Sequence, residues 1–251
     1  MTALHEQKLP AGYTLFARYA FPPNELGYCG PADAEVLLRG DDAAAVAAHA
    51  KEFDGAWPYL RAIADAAGTP DALDADVVRS YWVGGPQLDR VDPEGLLQTL
   101  RRAFQGQTTG LLFDLNQARG ALAHHSFHVF VVYPWVRFLD RDAATALKVL
   151  QDCRIRWGIV ESVEDEHAVI TTSPLTFADG TLALGAPRTE RVRWRKNRVS
   201  LIGPPAPGDV VSAHWDWACG VLDEDECEAL TAATQTTLDL VNAARDEERN
   251  R

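Results

Sequence analysis

The sequence predicts an α+β protein. A mainly helical stretch covers residues 1–148, and a small five-stranded OB-like β-barrel with a C-terminal helix covers residues 151–251. Three observations carry this reading. Alanine- and leucine-rich segments in the first part are punctuated by glycine, the cheapest residue at a left-handed helix exit. Near residue 150 the pattern changes to polar–apolar alternation with β-branched residues, the period of a half-buried strand. Asp223 then precedes an apolar stripe with Glu226 three residues on, the order of a capping box.

In chain order, Asp33 to Leu38, Asp41 to Phe53 and Trp57 to Ala67 read as helices broken by Gly40, Gly55 and Gly68. Asp74 to Val83 and Pro93 to Phe104 follow. Asp92 serves as the N-cap of the second, and Pro93 as its first helical residue. Leu96, Leu97, Leu100 and Phe104 form one buried stripe. Gly110 to Leu139 is so apolar that it belongs at the centre of the helical part. No internal repeat is present.

The strands expected are Arg154 to Val163, His167 to Thr172, Thr189 to Trp194, Val199 to Ile202 and Val210 to Trp217. Gly/Pro-rich turns such as 203–208 separate them, and five short strands in so little chain suit a small barrel. In the last helix Cys227, Leu230, Thr234, Leu238 and Val241 make a narrow stripe suited to packing on that barrel, and the tail is expected to fray after Asn242.

Composition excludes several function classes. Of 251 residues 47% are apolar, so the chain buries a core, and a net charge of −12 opposes nucleic-acid binding. The one basic cluster, Arg188 to Arg198, reads as a solvated strand face. No apolar run reaches the length of a membrane helix, and the first residues lack the order of a signal peptide, so a cytoplasmic location is expected. Cys29, Cys153, Cys219 and Cys227 show no disulfide framework and are expected reduced. No P-loop, dinucleotide fingerprint or G-x-S-x-G occurs.

Two clusters of residues carry metal-ligand chemistry. Cys153 precedes Arg154 and Arg156, whose charges favour the thiolate that binds soft metals. In Val210 to Trp217, strict alternation puts His214 and Asp216 on one strand face, where the carboxylate can orient the imidazole, and Trp215 and Trp217 on the other. The second cluster is Ala123-His124-His125-Ser126-Phe127-His128. His124 and His128 share a face on a helix or a strand and can chelate a metal, although the glutamate of H-E-x-x-H is absent. A polar seam is the alternative. Cys29, within the turn-rich Pro22 to Pro31, reads as part of a shape-determining loop, with a second thiolate as the other possibility. The aromatic pairs Tyr81-Trp82 and Tyr133-Pro134-Trp135 read as core anchors.

The segment C-R-I-R-W-G from Cys153, with Gly208, Asp209, Val211, His214 and Ala218 in P-G-D-V-V-S-A-H-W-D-W-A, resembles the HypC/HupF family of hydrogenase maturation factors over residues 151–245. Trp157 stands where that family has proline, Asp216 where it has glycine and Trp217 where it has phenylalanine. The resemblance implies a small barrel fused to a helical domain. It implies a chaperone that carries an iron fragment, Fe(CN)2CO, with a HypD-like assembly protein to the large subunit of a nickel–iron (NiFe) hydrogenase. Cys153 and His214 would then hold the iron, and Trp157, Trp215, Asp216 and Trp217 would form the docking surface. The alternative is a metal-dependent, oxygenase-like enzyme centred on His124, His125 and His128.

Overall fold

The computed structural model describes residues 2–3 and 9–249. Strand β1 (Thr2–Ala3) is followed by helix α1 (Ala11–Glu25), a 3-10 turn at Ala34–Leu38, α2 (Ala43–Lys51), α3 (Trp57–Ala67), α4 (Ala75–Trp82) and α5 (Pro93–Ala103). The expected cap at Asp92 is in place, and Asp74, read from the sequence as the first residue of its helix, is instead its N-cap. Asp74 and Asp92 accept from backbone N–H groups at the starts of α4 and α5, and Pro93 opens α5. Gly68 ends α3 in the left-handed conformation, at φ 72°.

Helix α1 escapes the sequence reading because Pro22 and Pro23 close it and look like turn formers. Both lie in its last turn, where they delete the backbone donors that would have paired with carbonyls one turn back. The segment 110–139 is largely buried, as its apolarity predicts, but it is not one helix. It contains the short helix α6 (His125–Phe127), a π-turn at His128–Val132 and a 3-10 turn at Pro134–Phe138. Helix α7 (Ala143–Cys153) follows, with Asp142 as its N-cap. Cys153 therefore ends a helix instead of starting a strand.

Nine strands and a final helix complete the described chain: β2 (Arg156–Val163), β3 (His167–Thr172), β4 (Leu175–Ala178), β5 (Thr181–Leu184), β6 (Arg188–Arg193), β7 (Arg195–Lys196), β8 (Val199–Ser200), β9 (Val210–His214), β10 (Trp217–Leu222) and α8 (Glu224–Arg249). The order β10-β6-β3-β2-β9 returns from β9 to β10 through an antiparallel hairpin. β2–β3, β2–β9 and β3–β6 are antiparallel ladders, whereas β6 meets β10 through one parallel pair, Trp217 with Arg193.

This corrects the OB-like five-stranded barrel. Val199–Ser200 pairs with β1 and β7 in a separate sheet, and Trp217–Leu222 takes its place. After Arg193 the chain leaves for β7, so β6 and β10 cannot zip into a ladder. The result is a five-stranded mixed sheet joined at its last seam by a single bridge. Its interior is a small cluster including Val160, Ile170, Val192 and Val211.

The larger apolar cluster runs from α1 through α3, α4, the π-turn and α7 to β10 and α8. Asp223 and Glu226 form the expected reciprocal capping box, each side chain accepting from the other's backbone N–H, at 2.9 and 3.1 Å. The helix does not cap the sheet as expected. It packs on α6, the π-turn and the β4–β5 hairpin. Ser126 Oγ donates to Ala233 O, Asn242 brackets the backbone of Leu182, and Arg245 forks onto Asp140. Those last contacts carry the helix to Arg249 instead of letting it fray at Asn242.

One close approach fixes α1 against the start of α4. A Cβ on Gly12 would overlap Leu73 O and lie 2.7 Å from Ala75 N, both backbone atoms. Gly12→Ala should therefore destabilise by about 1–3 kcal/mol, the range for overpacking, against the stabilisation that alanine gives in an unhindered helix. The urea unfolding midpoint of the variant against wild type checks the sign.

Candidate metal centre

Three ligating side chains from distant segments meet where the helices face the sheet. His125, Cys153 and His214 are all buried, and their donor atoms lie within 4.8 Å of one another. His125 begins α6, Cys153 ends α7 and His214 ends β9. The structure thus brings Cys153 and His214 together and adds one histidine from the other predicted cluster.

The orientation of His214 is written in α1. Pro23 has no N–H, so the carbonyl of Tyr19, one turn earlier, is left without its helical donor. That carbonyl accepts from His214 Nδ1 at 2.7 Å. The Tyr19 hydroxyl bonds Ser212 Oγ at 2.7 Å on the same strand, and its ring stacks on Trp82. With its proton on Nδ1, His214 keeps a lone pair on Nε2, a buried atom without a hydrogen-bond partner. The carboxylate expected to orient this ring does not do so. β9 ends at His214, Trp215 turns the chain at φ 52°, and Asp216 swings out to pair with Arg193.

His125 lies in a chain of contacts with one proton too few. Tyr81 Oη donates to Gly55 O at 2.9 Å, Tyr81 Oη meets His125 Nδ1 at 3.1 Å, and His125 Nε2 meets Cys153 O at 3.0 Å. These three contacts share two protons when the imidazole is neutral. Neutral it is, because burial drives its pKa well below the usual 6.5, and His214 and His128 push the same way. A cation on Nε2 would relieve the shortage by replacing the donation from Nε2 to Cys153 O. Nδ1–H then donates to Tyr81, and Tyr81 donates to Gly55, the oxygen-backed arrangement that orients metal-bound histidines.

Burial sets the remaining charges. It lowers His214 and His128 to about 4 each and His124 to about 3. It raises the Cys153 thiol well above 9, reversing the thiolate expected from its arginine neighbours. Arg156 is spent on Glu190 and Trp215 O, and Arg154 on Gln151 and Ser173 O.

A small cavity of about 20 Å³ adjoins the cluster, lined by Cys29, Tyr81, Trp82, His125, His128 and His214 among others. Such a space admits one water-sized species. His128 reaches it from the π-turn, edged by Tyr59 and Gly55, and burial holds the Cys29 thiol at about 11. His124 is turned away. Its Nδ1 lies 2.8 Å from Ser126 Oγ, which in turn meets Thr237 on α8. His124 is the N-cap of α6, in extended conformation at φ −127° and ψ 151°, so it does not share a helical face with His128.

Of the aromatic residues expected at a docking surface, Trp215 and Trp217 are buried, the first against Tyr28 and the second bonded to Glu25. Trp157 is half-buried and Asp216 is exposed. Tyr19 and Tyr81, which orient the two histidines, were invisible as site residues. The helix-ending Pro22-Pro23 pair was the one available signal for the first.

The chain belongs to the family of unknown function DUF6390, whose model matches residues 8–248. No curated protein and no solved structure matches it. A single family spanning both parts corrects the resemblance to HypC/HupF factors, which had treated residues 151–245 as a separate module fused to a helical domain.

Stability of the metal-free protein should fall with pH. Unfolded histidines take up a proton near 6.5, whereas His124, His128 and His214 resist until about 3 to 4. The unfolded state therefore binds more protons in between. The loss begins as pH drops through about 6.5 and continues to about 4, at about 1.4 kcal/mol per pH unit for each histidine. Urea titrations at pH 7.5, 6 and 5, run with a chelator, give the slope.

Proposed function

We propose that this protein is a metalloprotein whose mononuclear centre is held by His125 Nε2, His214 Nε2 and Cys153 Sγ, with one position open to a water-sized ligand. The unpartnered Nε2 of His214, aimed into a cluster with a second imidazole and a thiol, carries this reading. Two imidazoles and a thiolate suit zinc, copper or iron and exclude magnesium and calcium as resident ions. Bonds of about 2.0–2.3 Å put two donors on one ion at most about 4.4 Å apart, so small rotations bring the cluster to bonding distance.

Three protein ligands with an adjoining one-water cavity match catalytic centres, where a structural site would close with a fourth side chain. The reading is therefore of a metal-dependent enzyme acting on a small molecule. The metal would act there as Lewis acid or redox centre. The protein's own residues hold the two imidazole protons on Nδ1, through Tyr19 O and Tyr81 Oη, and keep bulk water out. Carriage of Fe(CN)2CO fits poorly, since an iron bearing three diatomic ligands overfills a cavity of about 20 Å³.

Binding must also displace the Cys153 proton, so affinity rises with pH. Titration of chelator-treated protein with cobalt(II) should give one equivalent and a thiolate charge-transfer band in the near ultraviolet. Cys153→Ser should abolish the band, and His214→Ala should weaken binding by about tenfold or more. Stoichiometric cobalt without a thiolate band, or binding unchanged in both variants, would overturn the assignment.

Pro23→Ala tests the orienting role of α1. A restored N–H competes for Tyr19 O and loosens His214, so cobalt affinity should drop about tenfold while the fold stays as stable as wild type or gains slightly. Cobalt titration and urea unfolding of the same sample separate the two effects.

A further inference from the structure

Arg154 is 1% exposed, yet no carboxylate forms an ion pair with it among the described residues, and Glu190, the partner of Arg156, acts on it only through space. The other two buried arginines are neutralised, Arg156 by Glu190 at 2.6 Å and Arg245 by Asp140 at 3.0 Å. Arg154 spends Nε on the neutral Gln151 Oε1 at 3.0 Å and Nη2 on Ser173 O at 2.7 Å, and its guanidinium lies over the Trp157 ring. Burying a cation without a paired anion is costly, and an arriving anion would offset that cost.

The same arginine lines a cavity of about 500 Å³. Its other walls are mainly apolar: Trp157 and Ile159 from β2, Leu184 after the β4–β5 hairpin, Pro187, and Val210 from β9. Ile159 is half-exposed at its edge. The volume falls in the range of small-molecule sites, and a mainly apolar wall with one convergent charged group is their usual build. None of the metal donors lines it.

We infer that this cavity is a binding site for a small monocarboxylate with an apolar body, its carboxylate on Arg154 and its body along Trp157, Ile159 and Leu184. The carboxylate supplies the missing counter-charge and takes the planar fork that a guanidinium offers. The apolar body covers surface that the sheet leaves open beside β2. This site is independent of the metal centre and stands whether or not metal binds.

Isothermal titration of the full chain with decanoate, kept below its micelle concentration, tests the assignment against decanol, which has the same body and no charge. Decanoate should bind at one site, at least about tenfold more tightly than decanol, the margin expected of a charge-assisted contact. Arg154→Met should remove that margin. Because Arg154 also ties α7 to the chain before β4, Ile159→Asp provides a second variant. It changes a half-exposed side chain, leaves the interior intact and sets a like charge in the site, so it should weaken decanoate by more than it weakens decanol. Equal affinities for the two probes, no binding of either, or decanoate binding indifferent to both substitutions would overturn the proposal.

Discussion

One missing hydrogen positions the centre of this molecule. Because Pro23 has no N–H, the Tyr19 carbonyl is free to leave its helix and hold His214. The same tyrosine bonds Ser212 and stacks on Trp82, so a single residue of α1 fixes the backbone, the strand and an aromatic wall together. The remaining contacts at this junction are arranged around that anchor. Trp82 lies against both His125 and His214, and Tyr81, its neighbour on α4, meets the other nitrogen of His125.

The polar groups at the junction are held short of full satisfaction. Backbone carbonyls there have partners, and both histidine Nδ1 atoms face oxygen. His214 Nε2 is among the buried atoms there without a partner, as are His128 Nδ1 and Trp82 Nε1. A purely structural polar seam would close such gaps with a serine or a water, as Ser126 does at Nδ1 of His124 but not at its Nε2. Leaving an imidazole lone pair open beside a thiol is the signature of a site that waits for an electrophile.

The legible parts of the fold were those governed by local chemistry. Helix α3 runs over its predicted span, the strand His167–Thr172 likewise, and the caps at Asp92 and Asp223 rest on side chains that reach only three residues. Nonlocal pairing was not legible. Val199–Ser200 alternates like a sheet strand, but its partners are decided by where the chain goes after Arg193. The barrel and the family resemblance both failed there, on spacing motifs that say nothing about which edges meet. At the site, Cys153, His125 and His214 stood out by residue type. Their meeting did not, because it depends on a short helix for which His124 is the extended N-cap, and on a helix end disguised by two prolines.

The sequence distance between the ligands has a further meaning for the life of the chain. Eighty-nine residues separate His125 from His214 (214 − 125), and no two of the three donors share a secondary-structure element. The set of three therefore forms only when helices and sheet have docked. An ion would recognise only the finished article, and by mass action its free concentration would add to the work needed to unfold it. Metal supply would then act as a quality check on assembly, marking the molecules in which helices and sheet have docked.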